Sequence, residues 1–203
     1  WDLKKPNYLA YLLLPLTIFI KINIFISNLY PKKKFDKIKS ICIGNIYLGG
    51  TGKTPTTLKL YQLLKDKNYN IVNGKKYYSN QQDEYILLKN KSQVISSKNR
   101  KDIIKQALKK NYELIIFDDG LQDRTIDYDL KFVCFDSKNL IGNGFLIPAG
   151  PLREEINSLK KYDGVILKNT DKNEDLNEIL LKIKNINPKI EIFNTYVKIK
   201  NIE

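Results

Sequence analysis

Apolar residues follow two patterns along this chain. From Tyr8 to Tyr30 the sequence YLAYLLLPLTIFIKINIFISNLY is apolar on nearly every side, and three lysines follow at positions 32–34. A bilayer span takes about 20 mostly apolar residues, so this segment is predicted to be a membrane segment or an interfacial helix. Lys21 within it weakens the case for a span, and burial against the chain's own domain is the alternative.

Beyond this segment, short apolar runs alternate with longer mixed stretches, which is typical of an α/β fold. Strands are predicted at 39–44, near 93–96, and at 112–117, 130–135, about 163–167 and 190–199. Helices are predicted from Thr54 to about Lys67, from about Asn99 to Lys110 and around 172–185. This order predicts a mostly parallel sheet with helices on both faces, in which ligands lie at the carboxyl ends of the strands. We expect a membrane-associating helix with a basic flank at 1–34 and a nucleotide-binding domain at 35–203.

Residues 41–55, ICIGNIYLGGTGKTP, join the first of these strands to the first helix. Small residues let successive backbone N–H groups face one anion, and the following helix adds its positive end. A lysine and a threonine at the start of the helix can reach the outer phosphates and a magnesium ion. The general pattern has a glycine where this chain has Tyr47, so this is a variant phosphate loop. The alternative is a tight turn without a ligand. The predicted nucleotide-binding residues are Gly49, Gly50, Thr51, Gly52, Lys53 and Thr54.

A second segment, which ends in two aspartates, also fits a P-loop NTPase-like fold. The apolar run YELIIFDD at 112–119 ends in Asp118 and Asp119. Carboxylates at the end of a parallel strand can hold or orient magnesium, directly or through water, beside a phosphate loop. We therefore predict a metal site formed by Thr54, Asp118 and Asp119. An ordinary Asp-Asp-Gly turn is the alternative.

The amino-acid composition limits the classes of binding partner that are expected. The chain carries 35 Lys and Arg against 22 Asp and Glu, a net charge of +13, which favours anionic lipid, phosphorylated glycolipid or nucleic acid unless the lysines are merely solvated. The 13 tyrosines are scattered rather than interleaved with basic residues in one unit, so no nucleic-acid partner is expected. Cys42 and Cys134 lie in apolar runs without a CxxC pair, and we expect both to be buried hydrophobic residues.

Three segments together carry a family resemblance. GNIYLGGTGKTP, DDGLQDR at 118–124 and GNGFLIPAGPLRE at 142–154 resemble, in form and order, the tetraacyldisaccharide 4'-kinases of Gram-negative bacteria, over about residues 1–170. The resemblance implies an ATP- and Mg²⁺-dependent kinase at the cytoplasmic face of the inner membrane. Its implied substrate is the acylated disaccharide 1-phosphate precursor of lipid A, phosphorylated on its 4' hydroxyl.

The resemblance also implies roles for individual residues. Lys53 is expected to steady the β and γ phosphates, with Asp118 and Asp119 beside it in the catalytic site. Asp83, in a stretch interpreted as a polar loop, matches the aspartate that is thought to be the family's general base. Gln122 and Arg153 are possible substrate contacts, although Arg153 could equally fasten its own loop through the adjacent Glu154.

The chain also departs from the family pattern. It has no histidine, and Asp123 stands where the family has one. The family's SRGYGG is reduced to NGKKYYSN at 73–80, its GDEP is QQDEY, and a C-terminal portion with a further histidine is expected to be missing. Two other hypotheses therefore stay open: a membrane-associated nucleotide-binding switch, and a degenerate relative without catalysis.

Overall fold

The computed structural model describes residues 5–78, 82–169 and 175–196. The chain divides into two compact units. The loop unit comprises Trp1–Phe25, Asn45–Gly52 and Val133–Glu203, and the strand unit comprises Ile26–Gly44 and Lys53–Phe132. Each unit contains helices and strands of its own.

The helices are α1 (Tyr8–Leu13), α2 (Thr17–Leu29), α3 (Lys53–Lys65), α4 (Gln82–Lys91), α5 (Arg100–Lys109) and α6 (Asp175–Ile186). The strands are β1 (Lys39–Gly44), β2 (Ile71–Lys76), β3 (Val94–Ser97), β4 (Leu114–Asp118), β5 (Leu130–Asp136), β6 (Gly164–Asn169) and β7 (Glu191–Tyr196). Short 3₁₀ turns occupy Leu14–Leu16 and Ile156–Lys161.

The strand unit contains a parallel sheet in the order β3-β2-β4-β1. Ile115, Ile116 and Phe117 of β4 are fully buried, as expected of a central strand covered on both faces. The β1-to-β2 and β3-to-β4 crossovers run in opposite directions along this order, so right-handed connections place α3 and α5 on opposite faces. The predicted parallel sheet with helices on both faces is confirmed.

Two elements of this unit were not predicted, β2 and α4. The sequence of β2, IVNGKK, carries polar residues at positions that are nevertheless buried. Asn73 donates a 2.8 Å hydrogen bond to the Ser92 hydroxyl, and Gly74 makes room for Phe117, whose ring would lie 2.9 Å from a Cβ added there. The interpretation of Asp83 as a loop residue was wrong, because it lies in the first turn of α4.

In the loop unit, β6 and β7 pair in parallel. The predicted strand at 190–199 begins at Glu191, and its last residues, 197–199, lie outside the described residues, as do residues 172–174 of the predicted helix. The division of the chain at residue 34 stays a prediction.

The N-terminal apolar segment is helical but interrupted. Pro15 has no N–H to donate, and the chain passes through the 3₁₀ turn between α1 and α2. Among the described residues, Tyr8–Leu29 is the one helical segment long and apolar enough to cross a membrane, with a mean hydropathy of 2.1. Only 11% of that window is buried, and most of its large apolar side chains are exposed.

Candidate functional site

The strand unit brings two of the predicted metal-binding residues into contact. β1 and β4 are parallel neighbours, with Ile43 opposite Asp118, so both strands end at the same edge. Thr54, in the first turn of α3, donates a 3.0 Å hydrogen bond from its hydroxyl to Oδ2 of Asp118. Thr57, one turn later, donates to Oδ1 at 3.4 Å. Asp118 is 1% exposed, so these hydroxyls fix the orientation of a buried carboxylate.

A third group on this carboxylate, Lys75, was not predicted. Its ammonium on β2 donates to Oδ2 of Asp118 at 2.7 Å and to Oε2 of Glu84 on α4 at 2.5 Å. Burial by itself would lower the pKa of Lys75, but the two carboxylates outweigh it and the pKa lies above its ordinary value. Lys75 is therefore a charged, buried link between β2, β4 and α4. The only sequence signal was that the shortened family segment keeps basic residues here.

The turn after Asp118 is held by a buried arginine. Asp119 adopts a left-handed backbone with φ of +57°, and its N–H donates to the Ile43 carbonyl at 2.8 Å. Arg100, 5% exposed, donates one guanidinium N–H to the Asp119 carbonyl and another to Oδ2 of Asp123 at 3.0 Å. Gln122 lies half-buried in the same turn. The residue that replaces the family's histidine is thus the partner of the arginine that clamps this turn.

The pKa of Asp123 lies below its ordinary value. Burial acts in the opposite direction, but hydrogen bonds from the hydroxyl and N–H of Thr125, together with the Arg100 guanidinium, stabilise the carboxylate. The Thr125 bonds are 2.7 Å and 2.9 Å long. Asp123 is therefore ionised throughout the neutral pH range.

The phosphate loop belongs to the loop unit. Gly49 and Gly52 have φ of +141° and +80°, which L side chains rarely adopt. The side-chain amide of Asn45 donates to the Gly49 carbonyl at 3.1 Å and closes the loop on itself. The Thr51 hydroxyl oxygen is buried, and no protein atom in the described part of the chain accepts or donates a hydrogen bond to it. Gly50 faces open space, because a Cβ added there would have no neighbour within 4 Å.

Tyr47, which departs from the general phosphate-loop pattern, anchors the loop. It is 4% exposed and forms a buried apolar cluster with Leu146 and Leu152. The backbone reinforces this contact, since Leu48 donates to the Pro151 carbonyl at 2.8 Å and Arg153 donates to the Ile46 carbonyl at 2.7 Å. The GNGFLIPAGPLRE segment is therefore a brace for the phosphate loop. The contact between this segment and Tyr47 could not be recognised from the glycine pattern alone.

Two charged side chains of the loop unit lie close to these segments. Glu154 is 2% exposed and accepts a 3.1 Å hydrogen bond from the Tyr162 hydroxyl. A Cβ added at Gly52 would lie 3.2 Å from Cδ of Lys168, whose ammonium donates to Asp136 at 2.9 Å. Lys168 is thus a second lysine beside the phosphate loop, and no motif in the sequence indicated it.

Lys53, Arg153 and Asp83, which were also predicted to act in the site, lie at or near the surface of their elements. Lys53 is the first residue of α3 and is half-buried, and Arg153 is half-buried in the bracing segment. Asp83 is exposed in the first turn of α4, next to the Glu84 that binds Lys75. A cleft of about 230 Å³ lies beside this turn and is lined by lysine and tyrosine side chains, among them Lys75, Tyr77 and Tyr85. The catalytic and substrate roles of these residues stay predictions.

Comparison with known proteins decides the family. The sequence profile of the family described as LpxK, tetraacyldisaccharide-1-P 4'-kinase, matches residues 9–201. The chain belongs to the tetraacyldisaccharide 4'-kinase family. The resemblance seen in the sequence is thereby confirmed.

Individual members of the kinase family are similar over nearly the whole chain. The tetraacyldisaccharide 4'-kinase of Pelagibacter ubique is 46% identical over 194 residues, which cover 95% of this chain and 60% of that protein. The enzyme of the same name from Rickettsia conorii is 34% identical over 216 residues, covering 98% of this chain and 67% of that protein. The chain thus spans about three fifths of the length of its Pelagibacter relative.

Solved structures establish the P-loop NTPase-like fold. LpxK from Aquifex aeolicus, described in complex with ATP, has a TM-score of 0.64 and 20% identity, over 96% of this chain and 86% of that one. The signal recognition particle 54 kDa protein from Aeropyrum pernix, in complex with GDP, has a TM-score of 0.53 and 13% identity, over 83% and 43%. At these identities the likeness shows the fold alone.

The phosphate loop has the chemistry to hold a phosphate, and Thr54 and Asp118 have the chemistry to hold magnesium. The buried hydroxyl of Thr51, which has no hydrogen-bond partner among the described residues, and the glycines with positive φ suit a bound phosphate. The described residues contain no cluster of three or more His, Cys, Asp or Glu that could enclose a metal ion. Magnesium bound with a nucleotide needs only one or two protein oxygens, because phosphates and water supply the rest. The Thr54 hydroxyl oxygen meets that requirement, with the Asp118 carboxylate beside it.

Proposed function

We propose that the chain is an ATP- and Mg²⁺-dependent kinase that phosphorylates the 4' hydroxyl of a tetraacyl disaccharide 1-phosphate, the lipid A precursor. The observation that carries the proposal is the 3.0 Å bond between Thr54 and Asp118 in a chain of this family. The Pelagibacter and Rickettsia relatives bear the name of this activity, and the Aquifex structure is described in complex with ATP.

Binding of ATP is assigned to the phosphate loop and the start of α3. Backbone N–H groups of Gly49, Gly50, Thr51 and Gly52 surround the phosphates, and the Thr51 hydroxyl gains a partner. Lys53, at the positive end of α3, attracts the β and γ phosphates and stabilises charge that develops on them during transfer.

The metal is assigned to Thr54, oriented by Asp118. The Thr54 hydroxyl donates its hydrogen bond to Asp118, so the lone pairs of its oxygen are available to bind a cation. Asp118 already accepts from Thr54, Thr57 and Lys75, which favours contact with the metal through water rather than directly. Asp119 supplies a further carboxylate on the adjacent turn. When bound, magnesium neutralises charge on the phosphoryl group.

The acceptor side of the reaction is assigned to Asp83. The 4' oxygen attacks the γ phosphorus, the bond from that phosphorus to the β,γ-bridging oxygen breaks, and ADP leaves. The proton of the 4' hydroxyl passes to the Asp83 carboxylate. The cleft beside α4 is lined by tyrosine faces and by Lys76, whose charge suits a sugar that carries an anionic group. Gln122 and Arg153 remain proposed substrate contacts.

The N-terminal helices are proposed to lie in the surface of the inner membrane, with the site in the cytoplasm. Ala10 and Thr17 are buried, and Tyr11 packs edge-on against Phe145 with ring centroids 5.8 Å apart. Most large apolar side chains of the segment are exposed, among them Phe19 and Phe25. A segment that the protein holds at a few residues and that exposes apolar side chains to lipid is typical of an interfacial helix.

The test is transfer of labelled γ phosphate from ATP to a detergent-dispersed tetraacyl disaccharide 1-phosphate. We expect transfer by the purified chain, loss of transfer with Lys53→Ala, and normal transfer with Lys65→Ala, an exposed lysine at the other end of α3. ATP binding or hydrolysis without transfer would contradict the kinase and favour a nucleotide-dependent switch. A folded chain without either activity would favour a degenerate relative.

A further inference from the structure

Lys75 is a buried cation to which the proposed reaction assigns no role. Its side chain is 3% exposed and contacts two carboxylates, one fully buried on Asp118 and one 46% exposed on Glu84. Burying an ammonium group raises the free energy of the folded state unless the charge is paired. The Lys75 side chain stays buried because both carboxylates compensate for its lost hydration. This makes Lys75 a specific connection rather than a solvated surface lysine.

The connection matters because α4 has few other attachments. Of its described residues only Leu88 is buried, in the second half of the helix. The first turn, which carries Asp83, is attached through the 2.5 Å bond from Lys75 to Glu84. On the other side, Lys75 binds the same Oδ2 atom of Asp118 that accepts from Thr54. One ammonium thus joins the turn of the proposed base to the carboxylate that orients the proposed metal ligand.

We propose that Lys75 is a positioning residue for phosphoryl transfer, which fixes the first turn of α4, and with it Asp83, relative to Asp118. The inference rests on the proposed function for the role of Asp83. It requires no contact between Lys75 and either substrate. Small misplacements of a catalytic group, of about 1 Å, cost on the order of 100-fold in rate, so loss of this link should act on kcat.

The kinetic test compares Lys75→Met, Lys75→Arg and Glu84→Gln. We expect Lys75→Met to lower kcat by about 100-fold while the Kd of ATP, measured by calorimetry, changes by less than about threefold. Lys75→Arg, which keeps the charge, should recover most of the loss. Glu84→Gln changes a half-exposed residue, so it should fold and still lower kcat. Lys39→Met, an exposed lysine on β1, is the matched control and should behave as wild type.

The two carboxylate contacts should be coupled. Lys75→Met combined with Glu84→Gln should be no slower than Lys75→Met alone, because both changes break the same link. If the kcat of Lys75→Met equals that of the wild type after correction for the folded fraction, the inference is overturned. It is also overturned if the fold-reductions in kcat of Lys75→Met and Glu84→Gln multiply in the double variant, because the two changes would then act independently.

Hydrogen exchange separates this inference from the proposed function. Amides of α4 from Ile86 onward, which bond to carbonyls of the first turn, should exchange faster in Lys75→Met and not in Lys39→Met. If the wild type transfers no phosphate but this difference is present, the proposed function fails while the link through Lys75 stands. Equal exchange in the two variants would overturn the link whatever the activity.

Discussion

The hydroxyl of Thr54 donates a 3.0 Å hydrogen bond to Oδ2 of Asp118, which joins the start of α3 to the end of β4. Thr54→Ser keeps this hydroxyl and Thr54→Val removes it at similar volume. We expect Thr54→Val to lower kcat/KM for ATP by about 100-fold and to raise the Mg²⁺ concentration needed for half-maximal rate, since such polar groups contribute on the order of 100-fold or more. Thr54→Ser should stay within about tenfold of wild type. Equal Mg²⁺ titrations for wild type and Thr54→Val would refute a metal role for Thr54.

The Arg100–Asp123 ion pair makes stability depend on pH in a predictable direction. The folded-state pKa of Asp123 lies below its ordinary value of 3.8, so the contribution is fully present above that value and is lost as the pH falls through the folded pKa. Asp123→Asn should therefore cost about 1 to 2 kcal/mol at pH 7 and progressively less as the pH falls below 3.8. Urea unfolding at pH 7 and at a pH below 3.8 measures this. Asp66→Asn, at an exposed carboxylate, should show no such change, and a cost for Asp123→Asn that is the same at both pH values would contradict the prediction.

Gly120 lies where no side chain fits. A Cβ there would come within 2.9 Å of both the Cys42 sulfur and the Tyr128 hydroxyl oxygen. Gly120→Ala should lower the free energy of unfolding by about 1 to 3 kcal/mol, because a packed core must shift to admit the methyl group. Gly50→Ala meets no atom within 4 Å and should change stability by less than about 0.5 kcal/mol. Equal stability of the two variants in urea unfolding would show that the packing around Gly120 is not as described.

The exposed apolar side of α2 should bind lipid. Phe19 and Phe25 are 67% and 66% exposed, and the double variant Phe19→Ser, Phe25→Ser should lose most of its flotation with vesicles that contain anionic lipid. The control is Leu181→Ser on α6, which changes an apolar residue that is 65% exposed. An interfacial helix should also be released by alkaline carbonate. Unchanged flotation of the double variant would contradict the membrane role of this surface.

The sequence was informative where local pattern and chemistry agree. The apolar runs of β1 and β4 are buried as predicted, and Asn99 caps α5 by accepting from the Lys101 N–H at 2.9 Å. Thr54 and Asp118, predicted from separate motifs, are in contact because parallel strands end at a common edge. Such residues could be predicted because their signals lie within one short segment each.

The sequence was silent where burial depends on distant partners. β2 has no apolar alternation after Val72, since Lys75 is buried only because Asp118 and Glu84, 43 and 9 residues away, neutralise it. α4 was missed because it buries a single residue, Leu88. Tyr47 looked like a defect in a glycine pattern, yet it packs against Leu152. These roles arise from contacts that no local period encodes.

The activity proposed for this chain is transfer of the γ phosphate of ATP to the 4' hydroxyl of an acylated disaccharide 1-phosphate. The most direct measurement is single-turnover transfer from labelled ATP to that acceptor and to its 4'-deoxy analogue, with the product located by mass spectrometry. A kinase with the proposed specificity should add one phosphate at the 4' position of the natural acceptor and none to the analogue. Equal labelling of both acceptors, or none of either by a folded chain that binds ATP, would contradict the proposed activity.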